Sequence, residues 1–292
     1  MTASHAPHHY LPHLARIAAV VPESEDTRTF VLALTSPVAA LDAAQPGQFV
    51  MLSVFGHGEA PFTLSSVAHA GAAPGTAAVT VRRVGELTGA LFDLPRGALV
   101  GVRGPFGCGF RSDPPRRTLY VAGGCGLAPL KAAIDVHIAQ RPAATPIAVL
   151  YGAREPDARI HRDALAAWQR APNVHVIECV ERGGHDWTGR LGVVVEYVRE
   201  AVALVRAERA AVCGPPAMLP LVAARLCRAG LDPASVDVAV ERYMKCGTGH
   251  CGHCYVNQRQ VCTDGPVFSF AELLQLSDAF PDLGHAISIA AG

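Results

Sequence analysis

The sequence predicts a β + α/β chain in three parts: an antiparallel barrel, a parallel-sheet domain with helices on both faces, and a small C-terminal module built on cysteines. The first 112 residues contain short, partly alternating apolar runs separated by glycine- and proline-rich turns, which is typical of antiparallel strands. From residue 118 to residue 240, strand-like and helix-like segments alternate, and this alternation indicates a parallel sheet. Four closely spaced cysteines follow.

The elements of the two larger parts are read from these patterns. The predicted barrel strands are Leu14–Val21, Thr27–Leu34, Gln48–Val54, Ala77–Val84 and Leu99–Arg103. The later predicted strands of the parallel sheet are Ile147–Tyr151, Val174–Val180, Ala210–Cys213 and Val236–Val240. The predicted helices between them are Arg162–Gln169, Gly192–Ala207 and Met218–Ala229. Ligands of such sheets bind at the carboxyl ends of the strands, so we expect a site in the loops there.

A glycine-rich turn joins the first parallel strand to its helix. The apolar run that begins at Thr118 ends in Gly123-Gly124-Cys125-Gly126, and Pro129 lies near the first helical position, where its missing N–H is not needed. The start of such a helix offers free N–H donors and the positive end of the helix dipole. The turn therefore predicts a site for the pyrophosphate of a dinucleotide. Chain reversal alone is the competing explanation for a single glycine turn.

The four cysteines predict a metal centre. Cys246, Cys251, Cys254 and Cys262 are separated by four, two and seven residues, and Cys-x4-Cys-x2-Cys with a distal cysteine is the plant-type [2Fe-2S] spacing. A structural zinc site is the alternative, although such sites usually combine two separated Cys-x2-4-Cys pairs. Rieske-type ligation by the two histidines of the same loop is a third interpretation, which four thiols make unnecessary.

Composition excludes several classes of function. Lys plus Arg and Asp plus Glu number 25 each, without a basic run, so we expect no nucleic-acid partner and no anionic membrane surface. The N-terminal residues lack signal-peptide features, and no long uninterrupted apolar stretch occurs, so we expect a cytoplasmic protein without membrane insertion. In a reducing compartment the nine cysteines are expected as thiols or cluster ligands.

Several landmarks occur in one order along the chain. They are Gly104-Pro105-Phe106-Gly107, the turn at 123–129, Cys213-Gly214-Pro215-Pro216-Ala217-Met218, and the four cysteines running into Asp264-Gly265-Pro266-Val267-Phe268. With this order the chain resembles the ferredoxin-NADP reductase superfamily over about residues 10–275. It resembles in particular the flavin and [2Fe-2S] electron-transfer subunits: the gamma (diaphorase) subunit of NAD(P)-linked nickel-iron hydrogenases and the electron-transfer subunit of dihydroorotate dehydrogenase. The resemblance implies an FAD-binding barrel over residues 10–112, an NAD(P)-binding domain over 113–236 and a [2Fe-2S] module with a tail over 237–292.

The resemblance also implies where the flavin binds. The family binds it on an Arg-x-Tyr/Phe-Ser/Thr segment, which Ala60-Pro61-Phe62-Thr63-Leu64-Ser65 matches here. Phe62 is expected beside the flavin ring, and Thr63 near its hydride-accepting N5. The usual pyrophosphate-binding arginine is replaced by Ala60, so the phosphate contacts are expected from the strand end at Val81-Arg82-Arg83 or from the loop that holds Leu87 and Thr88. The alternative for the two arginines is an exposed strand end, and FAD rather than FMN is implied by the resemblance alone.

The expected dinucleotide contacts come from three loops. Those assigned to the cofactor are Gly123, Gly124, Gly126, Ala128, Pro129, Gly152, Arg154, Cys213, Gly214, Pro215 and Met218. Thr63 and Cys213 are the candidate catalytic residues, and simple packing is the alternative for Cys213. Arg154 and Arg159 favour the 2′-phosphate of NADPH, so the sequence predicts NADPH, and NADH is the alternative because Glu155 could serve the free ribose hydroxyl.

The combination of cofactors predicts a relay. A nicotinamide delivers two electrons as hydride and an iron–sulfur cluster takes one, so a flavin is needed between them. No further substrate site is evident, and electrons are expected to pass to or from a partner subunit. The seven-residue gap before Cys262 and the segment Glu59-Ala60-Pro61-Phe62 resemble hydrogenase gamma subunits. The alternatives are a dihydroorotate dehydrogenase subunit, a stand-alone ferredoxin or oxygenase reductase, and a non-enzymatic zinc-bearing scaffold.

Overall fold

Six antiparallel strands close into the predicted N-terminal barrel, in the order β1-β2-β5-β4-β3-β6. The computed structural model describes residues 10–68, 73–111 and 116–276. The strands are β1 (His13–Pro22), β2 (Thr27–Leu34), β3 (Phe49–Val54), β4 (Gly58–Ser66), β5 (Thr76–Arg82) and β6 (Leu99–Phe106). Two short helices, α1 (Ala39–Asp42) and α2 (Glu86–Asp93), lie in the connections. The barrel interior is filled by side chains from alternate strand positions, including Ile17, Phe30, Leu32, Val50 and Leu52.

A parallel sheet with helices on both faces follows, in the order β10-β9-β8-β7-β11-β12. Its strands are β7 (Thr118–Gly123), β8 (Ile147–Ala153), β9 (Val174–Val180), β10 (Arg190–Leu191), β11 (Arg209–Cys213) and β12 (Val236–Ala239). Its helices are α3 (Leu127–Gln140), α4 (Arg162–Arg170), α5 (Val194–Val205) and α6 (Met218–Arg228). Helices α5 and α6 pack on one face, and α3 and α4 on the other. The doubly covered parallel sheet predicted from the alternation is confirmed.

The C-terminal module is small and shares the sheet. It contains β13 (Tyr255–Val256), β14 (Arg259–Gln260), α7 (Val261–Asp264), β15 (Val267–Ser269) and α8 (Phe270–Leu274). Strand β15 pairs antiparallel with β12, so the sheet continues past the proposed domain boundary at residue 236. The end of the proposed tail, residues 277–292, lies outside the described residues. No helix in the described ranges has the length and apolarity needed to cross a membrane.

The three parts meet around one apolar cluster. Phe49 and Met51 of the barrel pack in the same cluster as the parallel-sheet core, and Cys254 and Val261 of the C-terminal module belong to it as well. Polar contacts add to this packing, since Arg111 Nε donates to Asp237 Oδ1 at 2.8 Å. Helix α3 also packs against β4. The flavin segment predicted on β4 is therefore next to the helix that follows the glycine turn.

Candidate functional site

A cavity of about 770 Å³ lies at the carboxyl ends of the parallel strands. Its walls come from the turns after β7, β8, β9 and β11, and from the barrel residues that precede β2 and end β5. The sequence-predicted residues that line it are Gly123, Gly124, Gly126, Gly152, Arg154, Gly214, Pro215, Met218 and Arg82. Most of the cavity thus lies where the sequence predicted a site, at the carboxyl ends of the parallel strands. This is the position expected of a dinucleotide site in an open α/β sheet.

The glycine turn is shaped by close backbone contact. A Cβ atom at Gly126 would overlap the carbonyl of Cys213 and would lie 2.6 Å from the Gly214 nitrogen. Gly123 is similarly close to Met218, whose Sδ would lie 2.6 Å from an added Cβ. Glycine at these positions lets the turns after β7 and β11 meet, and this contact forms the floor of the cavity.

Three predicted dinucleotide residues lie outside the cavity wall. Ala128 is buried within α3, and Pro129 is in the first turn of the same helix. Cys213 is 3% exposed beneath the floor. Burial raises the pKa of its thiol, as does the nearby charge of Glu241, so Cys213 is a neutral packing neighbour of the cavity in this structure.

The charges around the cavity are mostly acidic. Glu25, Asp26, Glu155, Asp157, Glu181 and Glu241 are its carboxylate residues, and Arg82 and Arg154 its arginines. Arg159, considered for a 2′-phosphate, instead donates to Glu178 Oε2 at 2.9 Å and stacks 4.8 Å from the ring centroid of Trp187.

Glu181 was not identified from the sequence, although a signal for it was present. It directly follows β9, where the strand-end rule places ligand contacts. Asp26 and its neighbours were missed because they belong to the barrel, and the docking of the barrel on the sheet brings them to the cavity.

Barrel residues form a small polar network at the cavity. Arg82 Nε donates to Asp26 Oδ2 at 2.6 Å, and Thr27 Oγ1 donates to Asp26 Oδ1 at 2.8 Å. Burial raises the pKa of Asp26, but the hydrogen bonds from Thr27, Arg82 and Ser24 lower it by more, so it falls below its usual value. Thr27 Oγ1 also lies 4.0 Å from Cys125 Sγ of the glycine turn. Arg82 therefore joins the barrel to the dinucleotide cavity.

The flavin segment runs along β4 and pairs with β3, with Thr63 opposite Phe49. Ala60, Pro61, Phe62 and Thr63 are partly exposed, whereas Leu64 and Ser65 are buried. Ser65 Oγ is buried with no hydrogen-bond partner among the described residues. An orphaned hydroxyl next to a partly exposed strand fits a bound polar group, and FAD has such groups.

Two other predicted flavin contacts, Val81 and Thr88, are engaged within the barrel domain itself. Val81 is 1% exposed and faces the barrel core. The Thr88 hydroxyl accepts from the backbone N–H of Val84 and Gly85 at 2.9 and 3.0 Å and donates to the carbonyl of Gly85. It therefore caps α2, which Leu87 also belongs to, and has no hydrogen left for a phosphate.

Cys246, Cys251 and Cys254 lie on the loop before β13, and Cys262 lies in the short helix α7, so that the four form two contacting pairs. The Cys251 thiol is within hydrogen-bond reach of Cys246 Sγ, and the Cys254 thiol of Cys262 Sγ. No group of three or more His, Cys, Asp or Glu side chains in the described ranges converges as a ready metal site. The donor set nevertheless fits a two-iron cluster, in which each iron takes two thiolates.

Backbone N–H groups of the loop already point at sulfur. Thr248 N–H donates to Cys246 Sγ at 3.4 Å and Gly249 N–H to Cys262 Sγ at 3.2 Å. Burial raises the pKa of Cys246, but the N–H groups of Thr248 and Cys251 lower it to about 6. Burial and the neighbouring Cys254 raise the pKa of Cys262 to about 12. Gly249 has φ 79°, a conformation that favours glycine, and this lets the loop fold its N–H groups inward.

Comparison with known families decides the classification. Three family profiles match: an oxidoreductase FAD-binding domain over residues 15–109, an oxidoreductase NAD-binding domain over 120–224, and the iron–sulfur cluster binding domain of dihydroorotate dehydrogenase B over 241–274. The chain belongs to the ferredoxin reductase superfamily. The predicted FAD, NAD-type and iron–sulfur cofactors are thereby confirmed, and the zinc alternative is not supported.

Relatives of this superfamily member match along nearly its whole length. Sulfhydrogenase 1 subunit gamma of Pyrococcus furiosus is 31% identical, with 91% of this chain and 93% of that protein covered. A probable dihydroorotate dehydrogenase B (NAD(+)) electron transfer subunit of Methanothermobacter thermautotrophicus is 32% identical, with 92% of each covered. A chain of the NADH-dependent reduced ferredoxin-NADP oxidoreductase shares the fold, with TM-score 0.74, 22% identity, and 95% and 96% covered. This ferredoxin reductase superfamily member is an electron-transfer oxidoreductase subunit.

Proposed function

We propose that the chain passes electrons between NAD(P)(H), FAD and a [2Fe-2S] cluster, to or from the catalytic subunit of an NAD(P)-linked [NiFe] hydrogenase. One observation supports the relay above all: the barrel touches both other sites. Thr27 and Arg82 line the dinucleotide cavity. Met51 and Phe106 contact Gly247 in the loop of residues 246–254, which is called the cysteine loop below. A flavin bound on the barrel would therefore lie next to both the dinucleotide cavity and the cysteine loop.

Each part of the chain has a distinct task in this proposal. A flavin bound on the barrel would supply the exchange between two-electron hydride transfer and one-electron transfer. The glycine turn at 123–126 orients the dinucleotide pyrophosphate, and Gly214 and Pro215 border the nicotinamide. Phe62 packs beside the flavin ring, and Thr63 and Ser65 offer hydroxyls to it. Cys213 supports the floor from below. Such a reaction depends on positioning.

The cluster ligands in the proposal are Cys246, Cys251, Cys254 and Cys262. The pair Cys246 and Cys251 would hold one iron, and the pair Cys254 and Cys262 would hold the other. The contacts within each pair and the N–H donors aimed at sulfur support this division. Iron and acid-labile sulfide should each be present at about two per chain, since a [2Fe-2S] cluster needs four thiolates.

The cavity favours NAD(H) over NADP(H). Arg159 is engaged by Glu178, and Glu181, a wall residue, has no ion-pair partner among the described residues. A carboxylate at the adenosine end of such a sheet accepts from the free ribose 2′-hydroxyl, and it repels a 2′-phosphate. We therefore propose NAD(H) as the preferred dinucleotide, with Arg154 at the same end of the cavity.

A hydrogenase partner is supported by the short gap before Cys262 and by Glu59-Ala60-Pro61-Phe62. A dihydroorotate dehydrogenase partner is the second candidate, because the cluster module matches a domain described for that enzyme. The deciding experiment is to purify the chain with its bound subunits from the native source and to assay NAD+ reduction with hydrogen and with dihydroorotate. Hydrogen-dependent reduction is expected. Dihydroorotate-dependent reduction alone would transfer the assignment to the second candidate, and neither activity with no bound subunit would favour a stand-alone reductase.

A further inference from the structure

An ion pair between buried Arg103 and partly exposed Glu59 lies between the barrel and the cysteine loop. Arg103 on β6 is 4% exposed, and its Nε donates to Glu59 Oε1 on β4 at 2.9 Å while its Nη2 donates to Oε2. Ser53 Oγ on β3 donates to the same Oε1 at 2.8 Å. The carboxylate is thus held by three donors, one residue before the flavin segment begins at Ala60.

The same guanidinium reaches the cysteine loop. Arg103 Nη2 donates to the backbone carbonyl of Cys246 at 3.0 Å, although the two residues are 143 positions apart in the chain. The loop is packed tightly here, because a Cβ at Gly247 would lie 3.0 Å from Met51 Cγ and 3.1 Å from Phe106 Cδ2. A charged donor makes a stronger hydrogen bond than a neutral one, so Arg103 fixes the first cysteine of the loop against the barrel.

Stability is a weak explanation for this arrangement. A buried ion pair is expensive to desolvate, and apolar residues of similar size often stabilise a fold as well or better. Next to a redox centre, however, the charges have a further effect. A guanidinium beside a ligand residue favours an added electron on the cluster, and a carboxylate opposes it, because both act through a medium of low dielectric constant.

We propose that Arg103 and Glu59 are positioning residues for electron transfer between the barrel and the cluster. Arg103 holds Cys246 at a fixed place relative to the flavin strand, and the balance of the two charges sets the reduction potential of the cluster. The dinucleotide would give a hydride to the flavin, which would pass single electrons to the cluster, and no bond at Arg103 or Glu59 forms or breaks. The proposal rests on Cys246 being a cluster ligand.

Two variants separate position from charge. Arg103→Lys keeps the charge but removes the planar fork that contacts Glu59 and Cys246 together. Glu59→Gln keeps the shape and an acceptor for Arg103 but removes the negative charge. Arg141→Lys is the matched control, since Arg141 is another buried arginine that donates to backbone carbonyls, among them Thr145 O at 2.7 Å, and it lies in the parallel-sheet domain.

The measurements are made on protein loaded with flavin and cluster. Arg103→Lys is expected to slow NADH-driven cluster reduction about tenfold in stopped-flow absorbance and to alter the electron paramagnetic resonance spectrum of the reduced protein. Glu59→Gln is expected to raise the cluster potential by about 59 mV, which is a tenfold change in a one-electron equilibrium. Arg141→Lys should lower only the thermal unfolding temperature.

Two results would overturn the proposal, and a third would show that the ligand assignment of Cys246 is wrong. Unchanged rate, spectrum and potential in both variants, with iron and sulfide retained, would overturn the proposal. Loss of iron from both variants would also overturn it, because the pair would then be needed to hold the cluster. If the unsubstituted protein carries no iron, the ligand assignment of Cys246 has failed instead, and the variants do not bear on that result.

Discussion

Gly126 is the residue at which the dinucleotide cavity depends most directly on one missing side chain. Gly126→Ala would place a methyl group on the backbone of Cys213 and Gly214, so the two turns that form the floor must separate. We expect a loss of about 1–3 kcal/mol of stability and at least tenfold weaker dinucleotide binding, measured by denaturant unfolding and by fluorescence titration. Gly184→Ala is the control, because a Cβ added there would meet no atom within 4 Å and its φ lies outside the left-handed region. Equal behaviour of the two variants would contradict the packing argument.

At the residue scale, the proposed preference for NAD(H) depends on Glu181 in the cavity wall. Removing its carboxylate in Glu181→Ala should lower kcat/KM for NADH about tenfold, since one charge-assisted hydrogen bond is worth roughly 1.5–3 kcal/mol. The same change should raise activity with NADPH, because the 2′-phosphate is no longer repelled. Steady-state rates with both dinucleotides measure the ratio, with Glu200→Gln as an exposed control outside the cavity wall. A ratio that stays constant would remove Glu181 from the specificity argument.

The residues that were predictable are those whose types and spacing carry the chemistry. The four cysteines and Gly123, Gly124 and Gly126 are recognisable because ligation and close backbone approach need those residue types. Asp26 and Arg103 were not identified as site residues, because their roles depend on strands that meet only after folding. Thr88 shows the opposite case: a hydroxyl with the right chemistry for a phosphate is occupied by capping its own helix.

At the scale of elements, the connection between β1 and β2 docks the barrel on the parallel-sheet domain. Glu23 accepts from Thr29 Oγ1 at 2.6 Å and from the backbone N–H of His161 at 2.7 Å, and lies 3.1 Å from His161 Nδ1. His161 Nε2 is in turn 3.2 Å from Thr80 Oγ1 on β5. Burial raises the pKa of Glu23, but the contacts with His161 and Thr29 lower it to about 2.

This network predicts how stability depends on pH. The folded pKa of Glu23 is below the unfolded value of 4.5, so its contribution is complete above pH 4.5 and is lost as pH falls toward 2. A shift of this size is worth at most about 3 kcal/mol. Glu23→Gln should therefore unfold more easily than the unsubstituted protein at pH 7, and the difference should shrink between pH 4.5 and 2. Thermal unfolding over this range measures it, with exposed Glu25→Gln as the control. A difference independent of pH would contradict the assignment.

The predictable elements were the long periodic ones. Predicted and observed bounds agree closely for β2 and β9, because both have strong apolar patterns. Strand β15, of three residues, and β10, of two, carry too few residues for a period to be seen. Both are added to the sheet by pairing with neighbours, and β15 extends the sheet to residue 269, beyond Val236–Val240, the last strand that the sequence predicted.

For the whole molecule, the order barrel, parallel sheet and cysteine module was predictable because each part has its own pattern. Their mutual arrangement was not, since it depends on an apolar cluster that draws Met51, Leu119, Cys254 and Val261 from all three parts. That shared core keeps the barrel in contact with both the dinucleotide cavity and the cysteine loop, so the separate sites lie next to one another.

The proposed relay predicts that electron transfer through the cluster can be lost while hydride transfer from the dinucleotide is kept. Cys262→Ser takes away one thiol of the second pair, so cluster content should fall, while the dinucleotide cavity is untouched because Cys262 does not line it. NADH-dependent reduction of a two-electron dye should stay within about twofold, because the dye can take its electrons from the flavin. Reduction of a one-electron protein acceptor should fall at least tenfold, because that acceptor takes its electrons from the cluster. Iron analysis and both assays on one preparation measure this. Cys227→Ser is the control, because Cys227 is a partly buried residue of α6 away from the cysteine loop. If the variant lost both activities equally, the cluster would be needed for the hydride step or for folding, and the exit role of the module would be wrong.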